Sequence, residues 1–400
     1  MVIGAMDVGG AERHVTQIAP ELVRRGWTVA VYCLTGPGVL GIRLREQGLN
    51  VDTSPWLGTD VNGGSILKRS LRLAMSAVWL CLYMLRRRPR IVHFFLPAAY
   101  LVGGSCAWVT NRPIRIMSRR SLNNYQQRWP VVAKLERYFH GQMAAIVGNA
   151  KAVLIQLRSE ARIPPDRLGL IYNGIDPAAM EPGRSREETR RLLAVPDEAL
   201  VILIVANLIP YKGHRDLLEG LAGIDQKLPS SWRLVCVGRD CGVGNELEAL
   251  AARLGIAANI LWLGARDDVP DLLHAADIGV SSSHEEGFSN AILEGMTAGL
   301  PMVATDVGGN AEAVAHGLNG LIVPPKDPEA LAAAILTLGL DAELCARYGQ
   351  EGRRRVVKEF SLSHCVDRYE SLYRGLATGK TVAEALGQAR MNPELSRGTP

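Results

Sequence analysis

Residues 281–312 read SSSHEEGFSNAILEGMTAGLPMVATDVGGNAE, and this stretch decides the fold. It gives a strand end, an acidic turn (Glu285, Glu286, Gly287, Phe288), a helix from Ser289 to Ala298, and a second strand, PMVATD. Ser289 is an N-cap residue, because its hydroxyl can take an orphan backbone N–H of the first turn. Gly299 and Pro301 supply the stop. In an open α/β sheet, ligands sit at the carboxyl ends of the strands. The helix N-terminus there presents free N–H groups and a partial positive charge. A phosphate or a sugar hydroxyl suits that position.

Two carboxylates frame the turn. Glu286 precedes the helix, and Glu294 follows eight residues later. Eight positions is slightly more than two helical turns, so both can face one side. Glu294 sits among Ala291, Ile292, Leu293 and Met296, and a carboxylate in apolar company needs a partner or a ligand. The plainer alternative is a solvated loop charge and a salt-bridged helix residue.

The run EGFSNAILEGMTAGLPMVATDVGGNAE resembles the signature of glycosyltransferase family 4, the large retaining group with the GT-B fold. The resemblance rests on E-x7-E (Glu286, Glu294), a helix of small residues, and Gly-x-Pro before the next strand. Gly308, Gly309 and Glu312 then match its Gly-Gly-x-x-Glu. It implies two Rossmann-like doubly wound α/β domains facing each other across a cleft. It is strongest at 259–326 and weakest at 35–140.

Size and composition agree with that class. Four hundred residues allow two domains, and 48% hydrophobic residues can fill two cores. No apolar run is long enough for a membrane span, and no signal peptide with a cleavage site is visible. The seven cysteines are scattered and lack zinc-ligand spacing, so buried thiols in a reducing compartment are expected. Residues 1–175 hold 23 Lys+Arg against 9 Asp+Glu, and residues 176–400 hold 22 against 31. The first half is thus +14 and the second −9, an asymmetry that speaks of partners.

The first half reads as strand–helix units. VIGAM is a short first strand, shorter than family members usually have, so either the start is late or the strand is short. Gly9 and Gly10 permit close backbone approach before a helix that begins near Ala11. In the family this loop faces the diphosphate of the donor and the acceptor. Residues 66–90 hold an apolar run, Ala74 to Leu85, with basic residues at both ends. This is a crossover helix, or one that also touches an anionic membrane surface. His93 lies inside the strand RIVHFFLP. A lone strand histidine is usually a hydrogen-bonded core residue, whereas the resemblance brings it near the transferring sugar. Arg119, Arg120 and Tyr125, with Asn123 and Asn124, are acceptor-binding candidates. Asn173-Gly174-Ile175-Asp176 ends a first, acceptor-binding domain at 1–176.

A second, nucleotide-sugar-binding domain follows at 177–375, its last helix packing back on the first domain, and 376–400 reads as a weakly ordered tail. The family pattern Arg-Leu, a few residues, Lys-Gly holds the donor diphosphate. Lys212 and Gly213 meet it, but Asn207 stands where the Arg is expected, and an amide cannot give the ionic clamp of a guanidinium. Gly238, Gly242 and Gly244 do not have dinucleotide spacing. Arg266, at a strand end, is expected to flank the base.

What the resemblance implies is a retaining glycosyltransferase. The expected donor is a nucleotide diphosphate sugar, uridine-linked. The acceptor is a glycan or lipid-linked, in cell-surface polysaccharide or glycolipid synthesis, with no nucleic acid partner. Catalysis falls to His93, Lys212 and Glu286. The donor is held by Gly9, Gly10, Asn207, Lys212, Arg266, Glu286, Gly287, Phe288, Ser289 and Glu294, with Glu294 on the ribose. No Asp-x-Asp stands at a strand end, so neither metal nor cofactor is expected. The expected place is the cytoplasm or the inner face of its membrane. The alternatives are a GT-B epimerase, a catalytically weak nucleotide-sugar-binding subunit and an NAD-dependent oxidoreductase, the last disfavoured by glycine spacing.

Overall fold

The computed structural model describes residues 1–7, 9–55, 66–122, 130–161, 163–229 and 231–388. The chain divides into two compact units. One is Met1–Gly174 with the segment that begins at Leu362, and the other is Ile175–Ser361.

The first unit is built on seven parallel strands: β1 (Val2–Ala5), β2 (Ala30–Gly36), β3 (Asn50–Thr53), β4 (Ile91–Phe95), β5 (Ile114–Arg119), β6 (Ala145–Gly148) and β7 (Leu168–Leu170). Their order is β3-β2-β1-β4-β5-β6-β7. Strands such as IVHFF and AIVG are buried along almost their whole length because helices cover both faces. Those helices are α1 (Gly10–Arg24), α2 (Gly38–Glu46), α3 (Ile66–Arg87), α4 (Pro97–Val109), α5 (Pro130–His140) and α6 (Lys151–Ala161). The order reverses between β1 and β4, the point at which doubly wound sheets take their ligands.

Helix α3 is apolar on two sides. Ser76, Leu80 and Met84 are buried, while Leu71, Val78, Leu82 and Leu85 are exposed at 51–62%. The exposed four are spaced seven, four and three apart, which is one helical stripe. Helix α4 lies against the sheet through Gly103, where a Cβ would meet the Phe94 ring at 2.7 Å.

The second unit has six parallel strands: β8 (Leu200–Val205), β9 (Trp232–Val237), β10 (Ile260–Gly264), β11 (Ile278–Ser281), β12 (Met302–Thr305) and β13 (Gly320–Val323). They run in the order β10-β9-β8-β11-β12-β13. Around them lie α7 (Arg186–Leu192), α8 (His214–Ile224), α9 (Gly244–Arg253), α10 (Val269–Ala275), α11 (Asn290–Thr297), α12 (Asn310–Ala313), α13 (Pro328–Gly339) and α14 (Ala342–Glu359). The core is Ile202, Ile204, Leu217, Leu221, Trp232, Leu234, Ile278, Val303 and Ile335. Here the order reverses between β8 and β11.

Two helices after this unit return to the first one: α15 (Leu362–Ala377) and α16 (Val382–Leu386). Val366, Tyr369, Leu372 and Tyr373 of α15 enter the first core. The break between units falls after Gly174 rather than after 176, and the second unit ends at Ser361 rather than near 375. The weakly ordered tail expected from 376 also needs correction. Thr381 and Glu384 form a capping box on α16, and its Val382 and Leu386 are buried where Gly169 has no side chain. Residues 389–400 lie outside the described residues.

Candidate active site

The second unit gathers its polar groups at the point where the strand order reverses. After β8 the chain makes a short turn, Pro210–Lys212, and enters α8 through Gly213 at φ +69°. A Cβ at 213 would lie 1.9 Å from the Ser282 carbonyl oxygen, so glycine lets the loop after β8 touch the end of β11. Hydrogen bonds fasten the two. The Ser282 hydroxyl donates to the Lys212 carbonyl at 3.0 Å, and the His284 N–H donates to the Tyr211 carbonyl at 2.7 Å. Across this seam the Lys212 ammonium donates to Glu286 Oε1 at 2.5 Å, and the Ser283 hydroxyl donates to the same oxygen at 2.8 Å. Both charged side chains are partly buried. An ammonium has three donors, so this one keeps protons for a ligand oxygen.

The acidic turn then leads into α11. Ser289 caps the helix, its hydroxyl accepting from the Ile292 N–H at 3.4 Å. The loop after β12 closes on the turn: the Gly309 N–H donates to the Gly287 carbonyl at 2.8 Å. Gly308 is at φ +54°, and a Cβ there would stand 2.1 Å from the Glu286 carbonyl oxygen. That explains the first of the paired glycines. Phe288 is a core residue packed on Phe360, ring centres 5.5 Å apart, so its side chain does not face a ligand. Glu294 is half-buried on α11.

Two expected donor residues have other duties. The Asn207 Oδ1 accepts from the Arg239 backbone N–H at 3.0 Å. Arg266 donates Nε and Nη2 to Asp268 at 2.8 and 2.6 Å, which fixes the plane of its guanidinium. A residue not anticipated from the sequence lies beside Lys212. His214 is buried with no partner on either ring nitrogen, and burial, then the Lys212 charge, push it down to about 4. Nothing in its polar surroundings, KGHRD, announced a buried ring.

In the first unit, Gly9 caps α1, which starts at Gly10. Glu12 in its first turn is raised by burial. His93 is buried, with Nδ1 2.7 Å from the Tyr373 hydroxyl, Nε2 2.7 Å from the Ser118 hydroxyl, and its ring stacked on Phe95. His14 meets the Tyr369 hydroxyl at 3.0 Å. Burial holds both histidines well below their ordinary value, hence neutral. His93 is thus the hydrogen-bonded core histidine, with neither nitrogen left for a reacting sugar.

Arg119 is likewise corrected. It is 2% exposed and pairs with the fully buried Glu136 of α5 at 3.0 Å. Arg120, the next residue, is half-buried and donates Nη2 to Asn173 Oδ1 at 2.7 Å. Alternation along a strand sends consecutive side chains to opposite faces. Only one of two adjacent arginines could face outward from the core, and that parity was readable in advance. Tyr125 lies outside the described residues.

Two family models match the chain. The model for "Glycosyltransferase Family 4" covers residues 8–179, and that for "Glycosyl transferases group 1" covers 185–355. The chain belongs to the group 1, family 4 glycosyltransferases. A similar curated relative is the D-inositol 3-phosphate glycosyltransferase of Corynebacterium efficiens, 27% identical over 94% of this chain and 93% of its own length. Among solved structures, Anabaena Alr3699/HepE, in complex with UDP-glucose, superposes with a TM-score of 0.79 at 21% identity, covering 94% of this chain and 99% of that one. Sucrose-phosphate synthase of Thermosynechococcus elongatus gives 0.78 at 21%, covering 95% and 99%. These likenesses fit the GT-B fold, two Rossmann-like units, and the chain is a glycosyltransferase.

Proposed function

We propose that this enzyme moves a sugar from a uridine diphosphate sugar to a glycan or lipid-linked acceptor, with retention of anomeric configuration. The carrying observation is the Lys212–Glu286 pair, which spans the reversal point of the second sheet beside the N-terminus of α11. HepE, described with UDP-glucose, supports the choice of nucleotide. The Corynebacterium relatives, named for an inositol phosphate, support a polar hydroxylic acceptor.

In this reading Lys212 turns from Glu286 to the diphosphate as the donor enters, and the N–H groups at Gly287–Ser289 join it. Glu286, released, accepts from hydroxyls of the donor sugar, and Glu294 accepts from the ribose hydroxyls. The bond between the anomeric carbon and the phosphate oxygen breaks. The acceptor hydroxyl attacks the same face and its proton passes to the departing phosphate, giving the glycoside and the nucleoside diphosphate. No protein nucleophile, metal or cofactor enters the scheme. Arg120 serves the acceptor side. His93 is left out because both its nitrogens are engaged.

Thermal shift with a panel of nucleoside diphosphates and nucleotide sugars, on wild type and Glu294→Ala, tests the donor site. Stabilisation by uridine nucleotides that the variant loses is expected. A well-folded wild type unmoved by every nucleotide overturns the assignment. Glycoside formed only when an acceptor is supplied excludes an epimerase.

The partner surface is proposed on α3. No helix among the described residues is long and apolar enough to cross a membrane. Instead, the exposed stripe Leu71, Val78, Leu82 and Leu85 lies in a stretch, 61–135, with 13 Lys+Arg and no Asp or Glu. Apolar side chains with arginines nearby suit the headgroup region of an anionic bilayer. Salt-sensitive co-sedimentation with phosphatidylglycerol vesicles is expected, and absence of binding at low salt removes the proposal.

A further inference from the structure

The cations in the loops at the carboxyl ends of the second sheet are mostly committed. Lys212 is bound to Glu286 and Arg266 to Asp268. Arg215, in the first turn of α8, meets Glu246 and Glu219. His214 is neutral at physiological pH because burial pushes it down to about 4. A nucleoside diphosphate brings more charge than one shared ammonium can meet. Two cations in these loops stand without a carboxylate among the described residues. Lys326 follows β13, at the far edge of the sheet. Arg239 follows β9, next to β8, and is exposed.

The loop that carries Arg239 is fastened to the loop that carries Lys212. The Arg239 N–H donates to Asn207 Oδ1 at 3.0 Å, the Leu208 N–H donates to the Arg239 carbonyl at 3.0 Å, and the Cys241 N–H donates to the Leu208 carbonyl at 3.1 Å. At Gly238 the approach is so close that a Cβ would sit 2.0 Å from the Ala206 carbonyl oxygen. The adjacent carboxylate does not compete for the guanidinium. Asp240 Oδ1 accepts from the N–H groups of Gly242, Val243 and Gly244 at 2.8–3.0 Å, in the turn that leads into α9, and those bonds hold it below its ordinary value.

We propose that Arg239 supplies the guanidinium that grips the donor diphosphate, and that Asn207 is the positioning residue that seats it. This rests on the donor site proposed above. The neutral residue at 207 then moves the clamp to the neighbouring strand instead of removing it. A planar fork offers two parallel donors to phosphate oxygens, which an ammonium cannot.

Calorimetry on the whole chain tests this with UDP, GDP and ADP, each beside its free nucleoside. Arg239→Gln should weaken the preferred diphosphate roughly tenfold to a hundredfold and leave its nucleoside unchanged. Arg239→Lys should recover part of the loss. Adding Asn207→Arg to Arg239→Gln should recover diphosphate affinity, since the new guanidinium starts from the adjoining loop. Equal affinity of wild type and Arg239→Gln for the diphosphate overturns the inference and leaves the donor site standing. Equal loss for nucleoside and diphosphate also overturns it, because that marks a structural role. A wild type that binds no diphosphate at all overturns the donor site itself.

Discussion

Around Lys212, at the reversal point of the second sheet, charged side chains meet across loops, partly buried, with backbone-to-backbone seams holding them at one spacing. Around His93 in the first sheet, the corresponding interior is mainly histidine, tyrosine and serine, buried and neutral, with the half-buried Arg120 guanidinium beside it. The same doubly wound plan therefore supports two electrostatic regimes. A site that must meet and release a polyanion keeps its charges half-wet and exchangeable. An interior that only joins sheet to helix uses neutral hydrogen bonds, which cost less to bury. The exception in the first unit is Arg119–Glu136, a buried pair with no access to water.

That exception sets the largest expected effect. Arg119→Met removes the guanidinium that faces the buried Glu136 carboxylate and should lower stability by about 3–5 kcal/mol, while the double variant Arg119→Met/Glu136→Leu should recover most of it. Urea unfolding of the three proteins decides. A single variant as stable as wild type would show that the pair is not what holds α5 to the sheet.

Next comes Lys212→Ala. It should reduce turnover roughly 100- to 1,000-fold with little change in melting temperature, because it removes a ligand-facing charge rather than a core contact. Steady-state rates with a saturating donor, beside a thermal melt, give both readouts. A collapse of the melt would place Lys212 with Arg119 rather than opposite it.

Acidification should separate the units more gently. The unfolded histidine titrates near 6.5, whereas burial holds His140 at about 3 and His214 at about 4, with His14 and His93 also depressed. A depressed histidine contributes stability that is full above pH 6.5 and is lost as pH falls toward the folded value, about 1.4 kcal/mol per pH unit for each group. Three of these four lie in the first unit. Amide exchange at pH 7.5 and 5.5 should therefore show the first sheet loosening before the second. The opposite order, or none, would remove the histidines as the cause.

The smallest effect should come from the outer stripe of α3. Val78→Ser with Leu82→Ser should change stability by less than about 1 kcal/mol, since neither side chain is packed. It should nevertheless abolish vesicle binding.

The repeating strand–helix plan and the acidic turn of the second unit were legible, because apolar runs, a serine cap and a glycine stop each have a local cause. Three things were not. Helix α4 was missed because PAAYLVGGSCAWV is apolar all round and its Gly103–Gly104 pair reads as a break, although Gly103 is where the helix touches Phe94. Arg119 read as a site residue because residue type suggests chemistry, and His93 because the family resemblance outweighed its plainer core reading, while burial depends on which strand face points to α5 or α15. Asn207 looked like a deficit because a sequence shows the missing guanidinium but not the N–H of Arg239 bound to its side chain.

Gly213 and Gly308 have one more consequence. At both, the distance between two loops is set by main chain resting on main chain, with no side chain between that a substitution could lengthen or shorten. The gap that Lys212 and Glu286 span thus behaves as a fixed gauge. A library built to change the donor should hold these two glycines constant and vary the rim, at positions such as 266, where side chains can change without moving the frame that measures the ligand.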